Sequence, residues 1–334
     1  MCPCAVDGKR RAVSQLAAFS KVRVVVLGDL VADHYLFGQT ERISREAPVL
    51  IVRHERDEVK LGGAANAAAN ARALGGRVTA VGLLGADEMG RAMRALFKRQ
   101  GIGVEAVSGR GIPTESKMRI LAGGLSTSRQ QMLRVDRGSV GPLPPAVREA
   151  LAQRLEKAAR TADVVVVSDY GAGVVCPETR QVVRAIARRG VPVCVDSRFA
   201  LAEFKGVTVC KPNAPELAAL TGLPVGSDAE VDRAAAAALA RLGCEVLLVT
   251  RGRQGMVVYS KGQKPTRLAV HGPEDAVDVT GAGDTVIATF ALAVGAQKPF
   301  LEAAHLANIA GGIVVQKPGT ATVTQAELMG GLAR

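Results

Sequence analysis

Apolar residues follow two rhythms along this chain. Short runs rich in β-branched residues, KVRVVVLGD (21–29), RVTAVGLLG (77–85), DVVVVSD (163–169), VPVCVDS (191–197), GVTVCKPN (206–213) and CEVLLVT (244–250), have the length of strands buried on both faces. A further strand is predicted near 103–108, and hairpin-like strands near 255–260 and 266–271. Between them, helical spacing of apolar positions predicts helices over 62–76, 88–100, 145–160, 178–189 and 228–242, then from about 282 and over 300–316. Alternation of this kind predicts an α/β fold, a three-layer, doubly wound, mainly parallel sheet with helices on both faces.

Two stretches break the alternation. Within 40–61 and 112–137, APVLIVRHERDEVKL (47–61) and SKMRILAGGLSTSRQQMLRVDR (116–137) alternate apolar with charged residues, as a sheet with one solvated face does. They predict a small β-sheet lid, inserted as excursions from a single domain over 21–334. The first twenty residues lack the continuous apolar run of about 7 residues that a secretory signal needs, and they read as a disordered leader.

Composition narrows the functional classes. The 334 residues are 48% hydrophobic, enough for a large core, but no uncharged apolar run approaches the roughly 18 residues of a membrane span. With no export signal, the six cysteines read as reduced thiols and a cytoplasmic location is expected. Forty-three Lys plus Arg against 31 Asp plus Glu give a net charge of +12, which fits either nucleic-acid binding or an enzyme for anionic substrates. The charges are scattered singly over amphipathic helices and Trp is absent, so nucleic acid is not the expected partner.

The sharpest chemical feature is Asp278-Val279-Thr280-Gly281-Ala282-Gly283-Asp284-Thr285 ahead of an apolar helix. Glycines at a helix start leave the first backbone amides free, and with the positive helix end they form an anion hole that fits a phosphate. Asp284 falls in the first helical turn, placed to take a proton from a hydroxyl beside that phosphate. Read alone, the segment is also compatible with an ordinary Gly-rich helix start. Other nucleotide motifs are missing. The only Gly-Lys, Gly8-Lys9, is followed by Arg10 and makes no P-loop, and the first strand ends in Gly28-Asp29-Leu30-Val31-Ala32-Asp33 with no dinucleotide fingerprint. Asp29 and Asp33, where that strand gives way to a loop, suit hydrogen bonding to sugar hydroxyls or, as the plainer alternative, a cap and a surface acid.

Together these segments resemble the ribokinase-like (PfkB) carbohydrate kinases over residues 22–330. The DVTGAGD segment is similar to that family's C-terminal signature. Leu61-Gly62-Gly63-Ala64-Ala65-Asn66 is similar to its N-terminal one. The resemblance implies phosphoryl transfer from ATP with Mg²⁺, Asp284 as base, Gly281, Ala282 and Gly283 as the anion hole, and Asp29, Asp33, Gly62, Gly63 and Asn66 on the sugar side. Asn213-Ala214-Pro215-Glu216 is similar to the family's Asn-x-x-Glu element, in which the Glu holds Mg²⁺ through water; the same spacing is a helix capping box. Thr250, Arg251, Gly252, Gly255 and Asn308 match the nucleotide side, and Asp278 and Thr280 a monovalent-cation site, with K⁺ as the candidate ion.

Within the family, the segments 42–48, 61–66, 168–170 and 278–287 are most similar to the heptose 7-phosphate kinases, which act on the anomeric hydroxyl of D-glycero-D-manno-heptose 7-phosphate. A sugar phosphate suits the basic balance, with Arg42 and Arg198, and also Arg45, Lys117 and Arg119, as candidates to meet its phosphate. Ala172 and Arg198 stand where that group usually has lysines, so a kinase for another sugar or nucleoside is the alternative. A catalytically silent sugar- or nucleotide-binding regulator is the alternative from another class. Unpaired lid edges predict a homodimer through the lid.

Overall fold

Arg23–Gly28 (β1) is an interior strand of the main sheet, and its run of valines is buried. The structure is a computed structural model, and it describes residues 16–124, 129–139, 141–273 and 275–333. Two sheets are built from Leu30–Ile43 (β2), Leu50–Gly63 (β3), Arg77–Leu83 (β4), Gly103–Val107 (β5), Ser116–Gly123 (β6), Gln130–Arg137 (β7), Val164–Asp169 (β8), Val193–Ser197 (β9), Val209–Cys210 (β10), Val246–Thr250 (β11), Met256–Ser260 (β12) and Thr266–Leu268 (β13), together with β1. The nine-stranded sheet has the order β13-β12-β11-β10-β9-β8-β1-β4-β5. It is parallel from β11 to β5, and only β12 and β13 run antiparallel.

Helices cover both faces, and two apolar clusters form the layers between. Ala64–Ala73 (α1), Glu88–Gln100 (α2), Ala282–Gly295 (α7), Phe300–Val314 (α8) and Gln325–Leu332 (α9) contribute to one. Pro145–Ala159 (α3), Pro177–Arg188 (α4), Ala214–Thr221 (α5) and Asp228–Leu242 (α6) contribute to the other. The small residues of α1 let it pack closely: Ala64, Ala65, Ala67, Ala68 and Ala71 are all fully buried. No helix among the described residues is long and apolar enough to cross a membrane.

The strand and helix expectations hold, with three corrections. The stretch 206–213 contributes only Val209–Cys210 to the sheet, because Pro212 follows and Asn213 caps α5. Of the twenty residues expected as a leader, 1–15 lie outside the described residues, and Leu16 and Phe19 are buried in the core. The lid is larger. After Gly28 the chain enters β2 directly, without a loop, and β2 pairs with β3 from Leu30↔Gly63 onward and with β6 in parallel. The four-stranded lid, ordered β3-β2-β6-β7, therefore starts at Leu30, one residue beyond the core strand, and Asp33 lies on a lid strand. Cys176, Cys194, Cys210 and Cys244 are free and buried, whereas Cys2 and Cys4 lie outside the described residues.

Candidate active site

The C-terminal ends of β1, β8 and β9 open toward the start of α7, where the sheet and the lid meet. Gly281, at φ 77, is the left-handed residue that lets the chain turn into α7; a Cβ there would stand 2.4 Å from Asn66 Nδ2. No backbone acceptor is engaged by the amides of Gly281 and Gly283 among the described residues, which leaves both for an anion. Ala282 is different from expectation, since its amide donates to the Val279 carbonyl at 3.2 Å.

Asp284 lies one residue further on and is 2% exposed. Its Oδ2 accepts from Asn66 Nδ2 at 3.0 Å, and its Oδ1 accepts from the Tyr170 hydroxyl at 2.8 Å. Burial, with Asp196 nearby, raises its carboxyl to about 7, against the pull of the Asn66 and Tyr170 hydrogen bonds and of Lys211. A carboxyl poised near neutrality beside free helix amides has the character of a general base. Asn66 is fixed in turn, since its Oδ1 accepts from Asn70 Nδ2 at 3.0 Å.

Lys211, which no motif marks, is 3% exposed and bonds Asp196 Oδ2 at 2.8 Å. Burial alone would lower its pKa, but Asp196, Glu216 and Asp284 raise it overall, so it stays charged. Its Nζ stands 3.5 Å from where a Cβ on Gly283 would be, so its charge faces the anion hole. A lysine ending an otherwise apolar strand was the available signal.

The two aspartates expected on the sugar side part company. Asp33 forms a buried pair with Arg119 at 2.6 Å and accepts from Thr320 Oγ1 at 2.6 Å, and it packs so closely over Gly62 that a Cβ there would meet Asp33 Oδ2 at 2.3 Å. Gly63, at φ 56, lets the lid strand turn into α1. Asp29, in contrast, is 1% exposed, and its carboxylate is engaged by the amides of Tyr170, Ala172 and Val174 in the loop after β8. Arg119, committed to Asp33, is not a free phosphate ligand. Arg42 sits at the exposed outer end of β2, and Arg198 is exposed just past β9.

On the other side of the anion hole is a cavity of about 400 Å³ whose lining includes Thr250, Gly252, Gly255, Gly283, Asn308 and Val315. Asn308 donates to the Ala269 carbonyl at 2.6 Å. Arg251 is placed apart from these: its guanidinium turns to Asp228 at the start of α6 and it is not among the residues lining the cavity. Asn213 and Glu216 form the reciprocal capping box, at 2.8 and 2.9 Å, using Glu216 Oε2 and leaving Oε1 unengaged among the described residues. Asp278 accepts from the amides of Thr280 and Gly319 at 2.8 and 2.9 Å.

Residues 21–327 match the model of the pfkB family carbohydrate kinases. The chain belongs to that family. It is 42% identical over 318 residues to the bifunctional protein HldE of Caulobacter vibrioides, covering 93% of this chain and 63% of that protein. It is 41% identical over 319 residues to the bifunctional protein HldE of Halorhodospira halophila, covering 94% and 64%. This pfkB chain thus spans a little under two thirds of the length of these curated relatives. Among solved structures, Arabidopsis thaliana ribokinase complexed with ribose and ATP superposes with a TM-score of 0.75 at 25% identity, covering 93% of this chain and 98% of that one. Phosphofructokinase-2 from Escherichia coli, with substrates and products, has the same fold, with a TM-score of 0.75 at 20% identity and coverage of 93% and 98%.

Proposed function

We propose that this chain transfers the γ-phosphoryl group of ATP to a hydroxyl of a sugar phosphate, the anomeric hydroxyl of D-glycero-D-manno-heptose 7-phosphate being the favoured acceptor. One observation carries the reading: Asp284, buried and raised toward neutrality, lies between free helix amides with a cavity of about 400 Å³ beyond them and, on the other side, Asn66 of α1 and Asp33 of the lid. The likeness to HldE proteins supports the heptose phosphate, and the ribokinase with ribose and ATP supports the arrangement of sugar and nucleotide.

In this reading the nucleotide lies along Thr250, Gly252, Gly255 and Asn308, with its phosphates at Gly281 and Gly283. The Asp284 carboxylate takes the acceptor proton as that oxygen bonds to the γ-phosphorus and the bond to the β-phosphate oxygen breaks, releasing ADP. Lys211 and the free amides meet the charge that develops on the transferring group. Asp33, held by Arg119 and Thr320, orients sugar hydroxyls; Lys117 and Arg198, which form no ion pair among the described residues, are candidates for the sugar's phosphate.

The donors present fit a divalent ion. Glu216 Oε1, left over from the capping box, is the protein carboxylate that would face a Mg²⁺ ion resting on phosphates and water. When bound, it would neutralise phosphate charge. Asp278, Thr280 and nearby carbonyls are the proposed monovalent-cation site. Exposed Ile43, Leu50, Leu133 and Val135 on the lid support a homodimer through it, which light scattering at micromolar concentration tests.

The test of function is ATP consumption with Mg²⁺ and K⁺ against heptose 7-phosphate, fructose phosphates, ribose and adenosine. Turnover of the heptose phosphate alone supports the reading. Turnover of another acceptor alone moves the specificity, and no turnover with any acceptor overturns it.

A further inference from the structure

The loop after β8 reads Tyr170-Gly171-Ala172-Gly173-Val174, and its backbone is wrapped around a single carboxylate. Asp29 accepts from the amides of Tyr170 at 2.8 Å, Ala172 at 3.1 Å and Val174 at 3.3 Å. These are alternate residues. The two between them, Gly171 at φ 84 and Gly173 at φ 96, are left-handed, and that alternation turns every second amide toward Asp29. Residues with side chains would resist it at both places. A Cβ on Gly171 would also meet the Phe199 ring at 2.7 Å, so the loop is clamped from outside as well.

The loop begins with the side chain that touches Asp284. The Tyr170 hydroxyl donates to Asp284 Oδ1 at 2.8 Å, and Lys117 Nζ, from the lid, lies 5.2 Å from the Tyr170 ring centroid. Burial, Asp284 and Asp196 push the phenol well above its ordinary range, so it remains a donor. Asp284 thus faces Tyr170 from the loop, Asn66 from α1, Asp196 from β9 and Lys211 from beyond β10; Asp29 faces Asp169 besides the amides.

We infer that Asp29 and Tyr170 act as a positioning relay: Asp29 fixes the loop, and the loop holds the Tyr170 hydroxyl against Asp284, setting the orientation and proton affinity of that carboxylate. Neither residue is assigned contact with the reacting atoms. The inference rests on the reading of Asp284 as the base, and the carboxyl can also be followed directly without turnover.

The experiment compares wild type, Tyr170→Phe, Asp29→Asn and the double variant by the pH dependence of kcat/KM and by carbon NMR titration of the Asp284 carboxyl. Losing a donor to a carboxylate favours its protonated form, so Tyr170→Phe moves the acid limb upward by roughly 0.5–1 pH unit. Asp29→Asn cannot accept all three amides and shifts the limb the same way. If the two act in series, the double variant shifts no further than the larger single. Gly173→Ala, which strains the same loop, replaces Asp29→Asn if that variant does not fold. An unshifted limb in Tyr170→Phe, or shifts that simply add, overturns the relay. If wild type turns over no sugar, the kinase reading fails, whereas the NMR titration still decides whether Tyr170 and Asp29 set the Asp284 carboxyl.

Discussion

The Asn66 amide nitrogen and the Asp284 carboxylate, 218 residues apart in sequence, meet at 3.0 Å beneath the anion hole. The contact joins the two segments whose sequences resemble family signatures: one supplies the buried base, and the other supplies the donor that keeps it partly ionised. Gly281 is the hinge of that meeting, because only a residue without Cβ leaves room for Asn66. Gly281→Ala should therefore lower Tm by several degrees and reduce kcat at least tenfold. Thermal melting with steady-state kinetics checks both, and an unchanged kcat would show that the close approach is dispensable.

Asp284 also sets the pH response. Its carboxyl is raised to about 7 in the fold from an ordinary 3.8. The base acts only when deprotonated, so kcat/KM should fall about tenfold per unit below pH 7. The folded state holds this proton more tightly than the unfolded chain does. That contribution to stability is complete below about pH 4 and is lost as pH rises through 7. Asp284→Asn carries no such proton, so its Tm should gain on wild type as pH rises from about 4 to 7 and gain no further above that, as scanning calorimetry would read.

The Asp33–Arg119 pair is buried, with side chains 6% and 12% exposed, so removing one partner strands the other. Arg119→Met should cost about 3–5 kcal/mol of stability. It should also raise the sugar KM, since Asp33 loses one of its two fixed partners. Denaturant unfolding and sugar titration measure the two effects. A neutral result in both would remove Asp33 from the acceptor side.

Arg251 supplies a contrast. Its guanidinium pairs with Asp228 away from the nucleotide cavity, so Arg251→Met should leave the KM for ATP within about twofold while lowering Tm. A large rise in that KM would restore Arg251 to the nucleotide side.

The sheet, its helices and the two site segments were legible in the sequence because each is local: valine runs, helical periodicity, and glycines ahead of a helix. The acid at 284 was legible for the same reason. The role of Asp29 was not, because it depends on amides some 140 residues away whose directions are set by Gly171 and Gly173. Asn213 and Glu216 were readable both as a capping box and as a metal-side element. The box forms, and it leaves one carboxylate oxygen over. The lid boundary was misplaced because β2 continues from β1 with only Asp29 between them, so no break in hydrophobic pattern marks the change of sheet. Lys211 and Tyr170 became visible as site residues only when the strand ends converged on Asp284.

Whether Asp284 is the base of a sugar kinase is tested most directly by pairing turnover with nucleotide binding in Asp284→Asn. Calorimetric titration with a non-hydrolysable ATP analogue and Mg²⁺ should give nearly the same affinity as wild type, while turnover of the accepted sugar falls by at least 10³-fold, in keeping with loss of an essential base. Retention of more than a tenth of wild-type turnover in that variant, with binding intact, would contradict the account.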